Sequence, residues 1–192
     1  MKDNPDIKTP CGLAAGESPT GNCRGKVVFI LGGARSGKSG FALKTASALP
    51  GRKAYIATAQ ALDDEMELRI ARHKAERTED WQAFEEPVNI HDLITGIHGT
   101  YDVLLIDCLT LWITNLMLGN EDTEGKAQLL LEALSACRSS VFIVSNEVGL
   151  GIVPDNRMTR EFRDIAGTLN QKIAALADEV YFVAAGLPLK MK

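Results

Sequence analysis

Apolar residues fall in short, almost unbroken runs along this chain. Val27-Val28-Phe29-Ile30-Leu31, Lys53–Ala57, Val103–Asp107, Val141–Ser145 and Val180–Ala184 are rich in Val, Ile, Leu, Tyr and Phe, and Gly, Asp or Pro bounds them. Between them lie helical stretches at about 37–48, 62–77, 89–97, 109–118, 123–137 and 157–177. In the last, Phe162, Ile165, Leu169, Ile173 and Leu176 recur at helical spacing and predict its core face. Strands that are apolar at nearly every position and alternate with helices predict a parallel sheet covered on both faces, an α/β fold. Gly186-Leu187-Pro188 is expected to turn the chain into Leu189–Lys192, a short antiparallel edge strand.

Residues 1–25 break this pattern. They hold three of the seven prolines and four glycines, with almost no apolar periodicity. They are expected to form a flexible N-terminal extension, leaving 26–192 as a single domain. A net charge of -4 argues against a duplex-coating nucleic-acid binder. No apolar stretch approaches the length of a membrane span. Cys11, Cys23, Cys108 and Cys137 show no CxxC pairing and no zinc spacing, which suits a reducing cytoplasm with Cys108 and Cys137 buried.

Chemistry enters at Gly32-Gly33-Ala34-Arg35-Ser36-Gly37-Lys38-Ser39, a full G-x-x-x-x-G-K-S phosphate loop. A strand enters it and a helix leaves it, the context the motif requires. Its amides would point at polyphosphate oxygens, Lys38 would place a cation on the β/γ-phosphates, and the Ser39 hydroxyl would reach Mg²⁺. Asp107, at the tip of an apolar strand, reads either as a second Mg²⁺ contact or as a cap for the next helix. His73 sits among Arg69, Arg72, Lys74 and Arg77. Neighbouring cations favour neutral, nucleophilic imidazole, yet the same pattern describes a basic solvated helix face. His91 and His98 have no supporting neighbours and read as surface or packing residues. Ser145–Pro154 leaves a strand tip with an Asn-Glu pair, two glycines and a proline, suited to gripping substrate or a second subunit, or to a plain connector. An Asn-Lys-x-Asp guanine-reading motif is absent.

Taken in order, GGARSGKS, Tyr55-Ile56-Ala57-Thr58, Leu62-Asp63-Asp64-Glu65-Met66 with Arg69-Ile70 and His73, Asn146–Pro154, and Phe162–Gly167 with Asn170-Gln171 closely resemble one family. It is the bifunctional adenosylcobinamide kinase / adenosylcobinamide-phosphate guanylyltransferase family of cobalamin synthesis, and the resemblance spans about residues 26–192. The resemblance implies phosphorylation of adenosylcobinamide by ATP or GTP. Transfer of GMP from GTP through a histidine phosphoramidate then gives adenosylcobinamide-GDP and pyrophosphate. His73 matches the nucleophile; where some relatives carry two adjacent histidines, this chain has Arg72-His73. It further implies nucleotide contacts at Ala57, Thr58 and Ala59, at Lys74, Ala75, Glu76 and Arg77, and at Glu85 and Asp107. A RecA-like arrangement and a homotrimer are implied as well.

Two other readings stay open at this level. A phosphate-loop small-molecule kinase would need Lys38 and Asp107 but no nucleophilic His73. A nucleotide-dependent switch protein would use hydrolysis to rearrange a partner.

Overall fold

The computed structural model describes residues 24–60 and 80–192. The predicted helix at 62–77 therefore lies outside the described residues, as do 1–23 of the predicted extension. Its last two residues are tied down. Arg24 pairs with Asp178 at 2.6 Å, and the Gly25 N–H donates to the Cys137 carbonyl at 2.8 Å.

Seven strands build one sheet: β1 (Val27–Gly32), β2 (Lys53–Ala57), β3 (Trp81–Glu85), β4 (Val103–Asp107), β5 (Ser140–Asn146), β6 (Glu179–Ala184) and β7 (Leu187–Lys190). Their spatial order is β3-β2-β4-β5-β1-β6-β7, and every pair is parallel except β6 with β7. The described helices are α1 (Lys38–Ser47), α2 (Ile90–Ile97), α3 (Leu109–Leu118), α4 (Thr123–Ala136) and α5 (Arg157–Leu176). This is a mostly parallel α/β sheet with helices on both faces.

Alternation along the strands sorts the core into two layers. Val28, Ile30, Tyr55, Val103, Leu105, Phe142 and Val144 pack with Ala42 and Ala46 of α1. Their neighbours Val27, Phe29, Ala54, Ile56, Leu104, Ile106, Val141 and Ile143 pack on the other face against α2 to α5. There Trp112 is fully buried, and its indole N–H donates to the Val88 carbonyl at 2.8 Å. The face predicted for α5 is the one that packs, with Leu169 and Ile173 buried and Phe162, Ile165 and Leu176 at its margin.

Two elements differ from the sequence expectation. β3 was not predicted, because as an edge strand it leaves Gln82, Ala83 and Glu85 exposed and shows no apolar run. The final turn comes earlier than expected, at Ala185-Gly186 (φ 51° and 81°), so Leu187 and Pro188 belong to the strand. Proline is tolerated there because β7 is an edge.

The hairpin is held by Glu179, which meets Lys26 at 2.9 Å and Lys190 at 3.0 Å and accepts from the Tyr181 hydroxyl at 3.0 Å. The Lys26 ammonium, followed by Lys190 and Tyr181, holds its carboxyl at about 2, below the usual 4.5. A depressed carboxyl stabilises the fold above pH 4.5, and that contribution fades as pH falls toward 2. Allowing for solvent screening, Glu179→Gln is expected to cost about 1 kcal/mol at pH 7. In urea titrations the gap between variant and parent should shrink below pH 4.5; a gap independent of pH would refute the assignment.

Deleting residues 2–23, which keeps the Arg24–Asp178 pair, is expected to leave enzyme activity within a few-fold of the full chain. That is on the order of 1 kcal/mol in barrier terms. A large loss in a steady-state assay would show that the extension reaches an active site.

Candidate active site

β1 delivers the chain into Gly32–Ser39, and α1 starts inside that loop at Lys38. Glycine is required at two of its positions. Gly37 has φ 92°, and a Cβ on Gly32 would fall 2.4 Å from the Val183 carbonyl oxygen and 2.5 Å from Ser36 Oγ. The loop is braced from within and from the hairpin. Ser36 N–H and the Lys38 ammonium both donate to the Gly33 carbonyl, at 3.3 and 3.1 Å, and Gly186 N–H donates to the Ser36 carbonyl at 2.8 Å. Lys38 is only 6% exposed, lying back over the loop. Ala34, Arg35 and Gly37 are exposed, while Gly33 and Ser39 are half-buried. The first turn of α1 contains no acidic residue, and its N-cap, Gly37, makes no side-chain cap bond. Its amide hydrogens and positive dipole end are thus arranged for an anion.

Beside the loop the strand tips form a row. Asp107 of β4 is in register with Ala57 of β2, and Ala57 with Glu85 of β3. Alternation puts Asp107 on the same face as Val103 and Leu105, the face that carries α1. Glu85 lies two strand spacings away, about 10 Å along the row. The Tyr55 hydroxyl donates to Asp107 Oδ2 at 2.9 Å, and its ring meets Trp81 edge-on. Sequence reading did not single out this contact, because β2 and β4 are adjacent in the sheet but not in the chain.

Thr58 is fully buried and binds the β2 tip to the β4–α3 junction. Its hydroxyl donates to the Cys108 carbonyl and accepts from the Cys108 N–H, both at 2.8 Å. Its carbonyl accepts from Asn115 Nδ2 at 2.7 Å. The Thr58 side chain is consumed in this clamp, while Ala57 is buried in the core layer under α1 and Ala59 is half-buried. Burial, reinforced by the Asp107 carboxylate, pushes the Cys108 thiol up, which disfavours the reactive thiolate. His91 is buried in α2 and His98 Nδ1 accepts from the Arg138 N–H at 3.4 Å, in keeping with packing roles. His73, Lys74, Ala75, Glu76 and Arg77 lie outside the described residues.

Among the described residues no cluster of three or more His, Cys, Asp or Glu could hold a metal alone. Mg²⁺ asks for less, since it takes one or two protein oxygens and fills its shell with phosphate and water. Ser39, at the end of the loop, and Asp107, at the tip of β4, are hard oxygen donors of the kind this ion takes. A separate groove of about 720 Å³ lies between α4 and α5, with Arg157, Arg160, Asp164 and Lys172 on its wall. It belongs to the helical layer opposite α1. No described helix is long and apolar enough to cross a membrane.

Residues 28–191 match the family described as cobinamide kinase / cobinamide phosphate guanyltransferase. The bifunctional adenosylcobalamin biosynthesis protein CobU of Salmonella typhimurium is 41% identical over 181 residues, covering 86% of this chain and 99% of its own. CobP of Pseudomonas aeruginosa is 44% identical over 166 residues, covering 85% and 96%, and CobU of Escherichia coli is 40% identical over 184 residues, covering 86% and 99%. Among solved structures, the KaiC-like protein PH0186 of Pyrococcus horikoshii aligns over 83% of this chain and 71% of its own, with TM-score 0.47 and 14% identity. With the phosphate loop and the strand-tip carboxylate in place, the chain belongs to the cobinamide kinase / cobinamide phosphate guanyltransferase family.

Proposed function

We propose that this chain phosphorylates the aminopropanol hydroxyl of adenosylcobinamide with ATP or GTP. It then carries GMP from GTP through His73 onto that phosphate, releasing pyrophosphate and forming adenosylcobinamide-GDP. The observation that carries this reading is the phosphate loop, with its bare helix start, on the same sheet face as the Asp107 tip and one strand removed from it. Phosphoryl transfer needs positioning and charge neutralisation more than covalent assistance. Gly32, Gly33, Ala34, Arg35, Ser36, Gly37 and Ser39 would wrap the phosphates, with Lys38 as their fixed cation. Ser39 and Asp107 would hold Mg²⁺, which supplies further neutralisation of the phosphate charge when bound. Tyr55 keeps the Asp107 carboxylate aimed, and Glu85 offers a second carboxylate farther along the row.

Guanylyl transfer is a different displacement, at the α-phosphorus. A histidine nucleophile divides it into two steps, and Lys74–Arg77, next in sequence, would contact GTP. The reading includes residues 26–192 as one catalytic domain, assembly as a homotrimer and a cytoplasmic location, where the free thiols of Cys108 and Cys137 stay reduced.

Labelled substrates separate this from its rivals. With adenosylcobinamide and γ-labelled ATP or GTP, the label should enter the corrinoid. With α-labelled GTP, it should enter first the protein and then the corrinoid. A kinase alone would give the first result only, and a switch protein neither.

A further inference from the structure

We propose that Asn146 orients the attacking hydroxyl of the corrinoid alcohol in the kinase step. This rests on the reading that Gly32–Ser39 hold the triphosphate. β5 lies in the sheet between β1, which carries the phosphate loop, and β4, which carries Asp107. Asn146 pairs with Gly32, while Asp107 pairs with Val144. The Asn146 side chain therefore stands between loop and carboxylate, two residues or about 7 Å beyond the level of Asp107. Phe142 and Val144 face the α1 side, and strand alternation turns Asn146 the same way. A group placed there faces the outer end of a triphosphate bound in the loop.

The backbone of Asn146 is pinned without help from its side chain. Its N–H donates to Thr110 Oγ1 at 2.8 Å, its carbonyl accepts from Asn170 Nδ2 at 3.2 Å, and the following N–H, of Glu147, donates to the Gly32 carbonyl at 3.1 Å. Three elements thus aim one carboxamide. Its Oδ1 is buried and has no hydrogen-bond partner among the described residues. Buried polar atoms are rarely left unpaired, so each exception calls for an explanation. Phosphate oxygens cannot supply the missing proton, since they only accept. An alcohol can donate it.

A carboxamide is far too weak a base to remove that proton, so the role is orientation. With its hydrogen held by Asn146 Oδ1, the hydroxyl turns a lone pair toward the γ-phosphorus. The new O–P bond forms as the bond from phosphorus to the β–γ bridging oxygen breaks. Nucleoside diphosphate leaves with that electron pair, and the hydroxyl proton passes to water. GMP transfer, with adenosylcobinamide phosphate as acceptor, attacks through no hydroxyl and has no use for this contact.

The test uses full-length Asn146→Ala protein in two assays: phosphorylation of adenosylcobinamide, and GMP transfer to adenosylcobinamide phosphate supplied directly. The kcat for phosphorylation should fall about 10- to 100-fold, the scale of a misplaced reactant. The KM for the nucleotide, labelling by α-labelled GTP and the rate of GMP transfer should each stay within about threefold of the parent. Retained transfer also shows that the variant is folded. Asn146→Ser, which restores a small acceptor, should recover part of the lost kcat, and it decides the matter should the alanine variant unfold. Equal losses in both reactions, a loss confined to nucleotide KM, or no loss at all would each overturn the proposal. Lys38→Ala is run alongside: if it retains both activities, the triphosphate site itself is misplaced, which is a separate failure.

Discussion

Lys38→Ala is expected to abolish phosphorylation of adenosylcobinamide and to lower GMP transfer at least 100-fold, while the protein still folds. The ammonium at the start of α1 is the fixed cation of the loop, and loss of a single preorganised charge-stabilising donor costs about 10²- to 10³-fold in rate. The kinase step suffers more, because negative charge gathers on the β/γ-phosphates where Lys38 would sit. Folding should survive. The cost includes the bond from Nζ to the Gly33 carbonyl at 3.1 Å, a charged hydrogen bond worth about 1.5–3 kcal/mol, against typical stabilities of about 5–15 kcal/mol. Alanine is also the best helix former at that position. Thermal unfolding, with both activities measured on the same preparation, checks the expectation. Near-normal turnover in a folded variant would remove the basis for placing the triphosphate in this loop.

The parts of the fold that were legible are those buried on both faces. β1, β2, β4 and β5 are apolar at nearly every position because helices cover both sides, so they stand out without any partner information. α3 matches its predicted span, and α5 shows its core stripe because one face alone packs. β3 escaped because an edge strand covered poorly on both sides looks like a polar connector; Trp81 and Phe84 were its only strand-forming signals. The β6–β7 turn was placed too late because Pro188 reads as a turn former. The residue that does turn the chain, Ala185 at φ 51°, is one that such turns seldom choose.

For the site, what is contiguous in the chain was readable and what depends on strand order was not. The phosphate loop is eight consecutive residues between a strand and a helix, and its chemistry follows from them. Asp107 was recognisable as a strand-tip carboxylate, but its hydrogen bond from Tyr55 joins residues 52 apart. Thr58 carries a nucleotide contact that only the family resemblance implies. Its clamp on Cys108 becomes visible only when β2 is laid beside β4. Asn146 acquires its place between the loop and Asp107 solely from the order β4-β5-β1. Short-range pattern announces chemistry, and topology decides which side chains share it.

His73→Ala should split the two reactions. If the imidazole attacks the α-phosphorus of GTP, an N–P bond forms, pyrophosphate departs with the electron pair of the broken P–O bond, and GMP remains on the protein. Arg69, Arg72, Lys74 and Arg77 are its neighbours in sequence, and cations close to an imidazole would favour its neutral, nucleophilic form. The alanine variant should therefore lose covalent labelling by α-labelled GTP and lose GMP transfer, yet retain measurable kinase activity, because direct transfer to a hydroxyl needs no protein nucleophile. His73→Asn should behave alike, since it keeps polarity without a nucleophilic nitrogen. In the parent, a phosphoramidate should be lost in acid and survive mild alkali, and peptide mapping should place GMP on His73. Arg72 offers no second imidazole, so residual labelling in the alanine variant would mean that another group attacks. GMP mapped to Lys74 would keep this segment in the active site while making the nucleophile an amine. Loss of the kinase along with the label would mean that His73 serves the shared nucleotide site, and the two-step reading of guanylyl transfer would lose its main support.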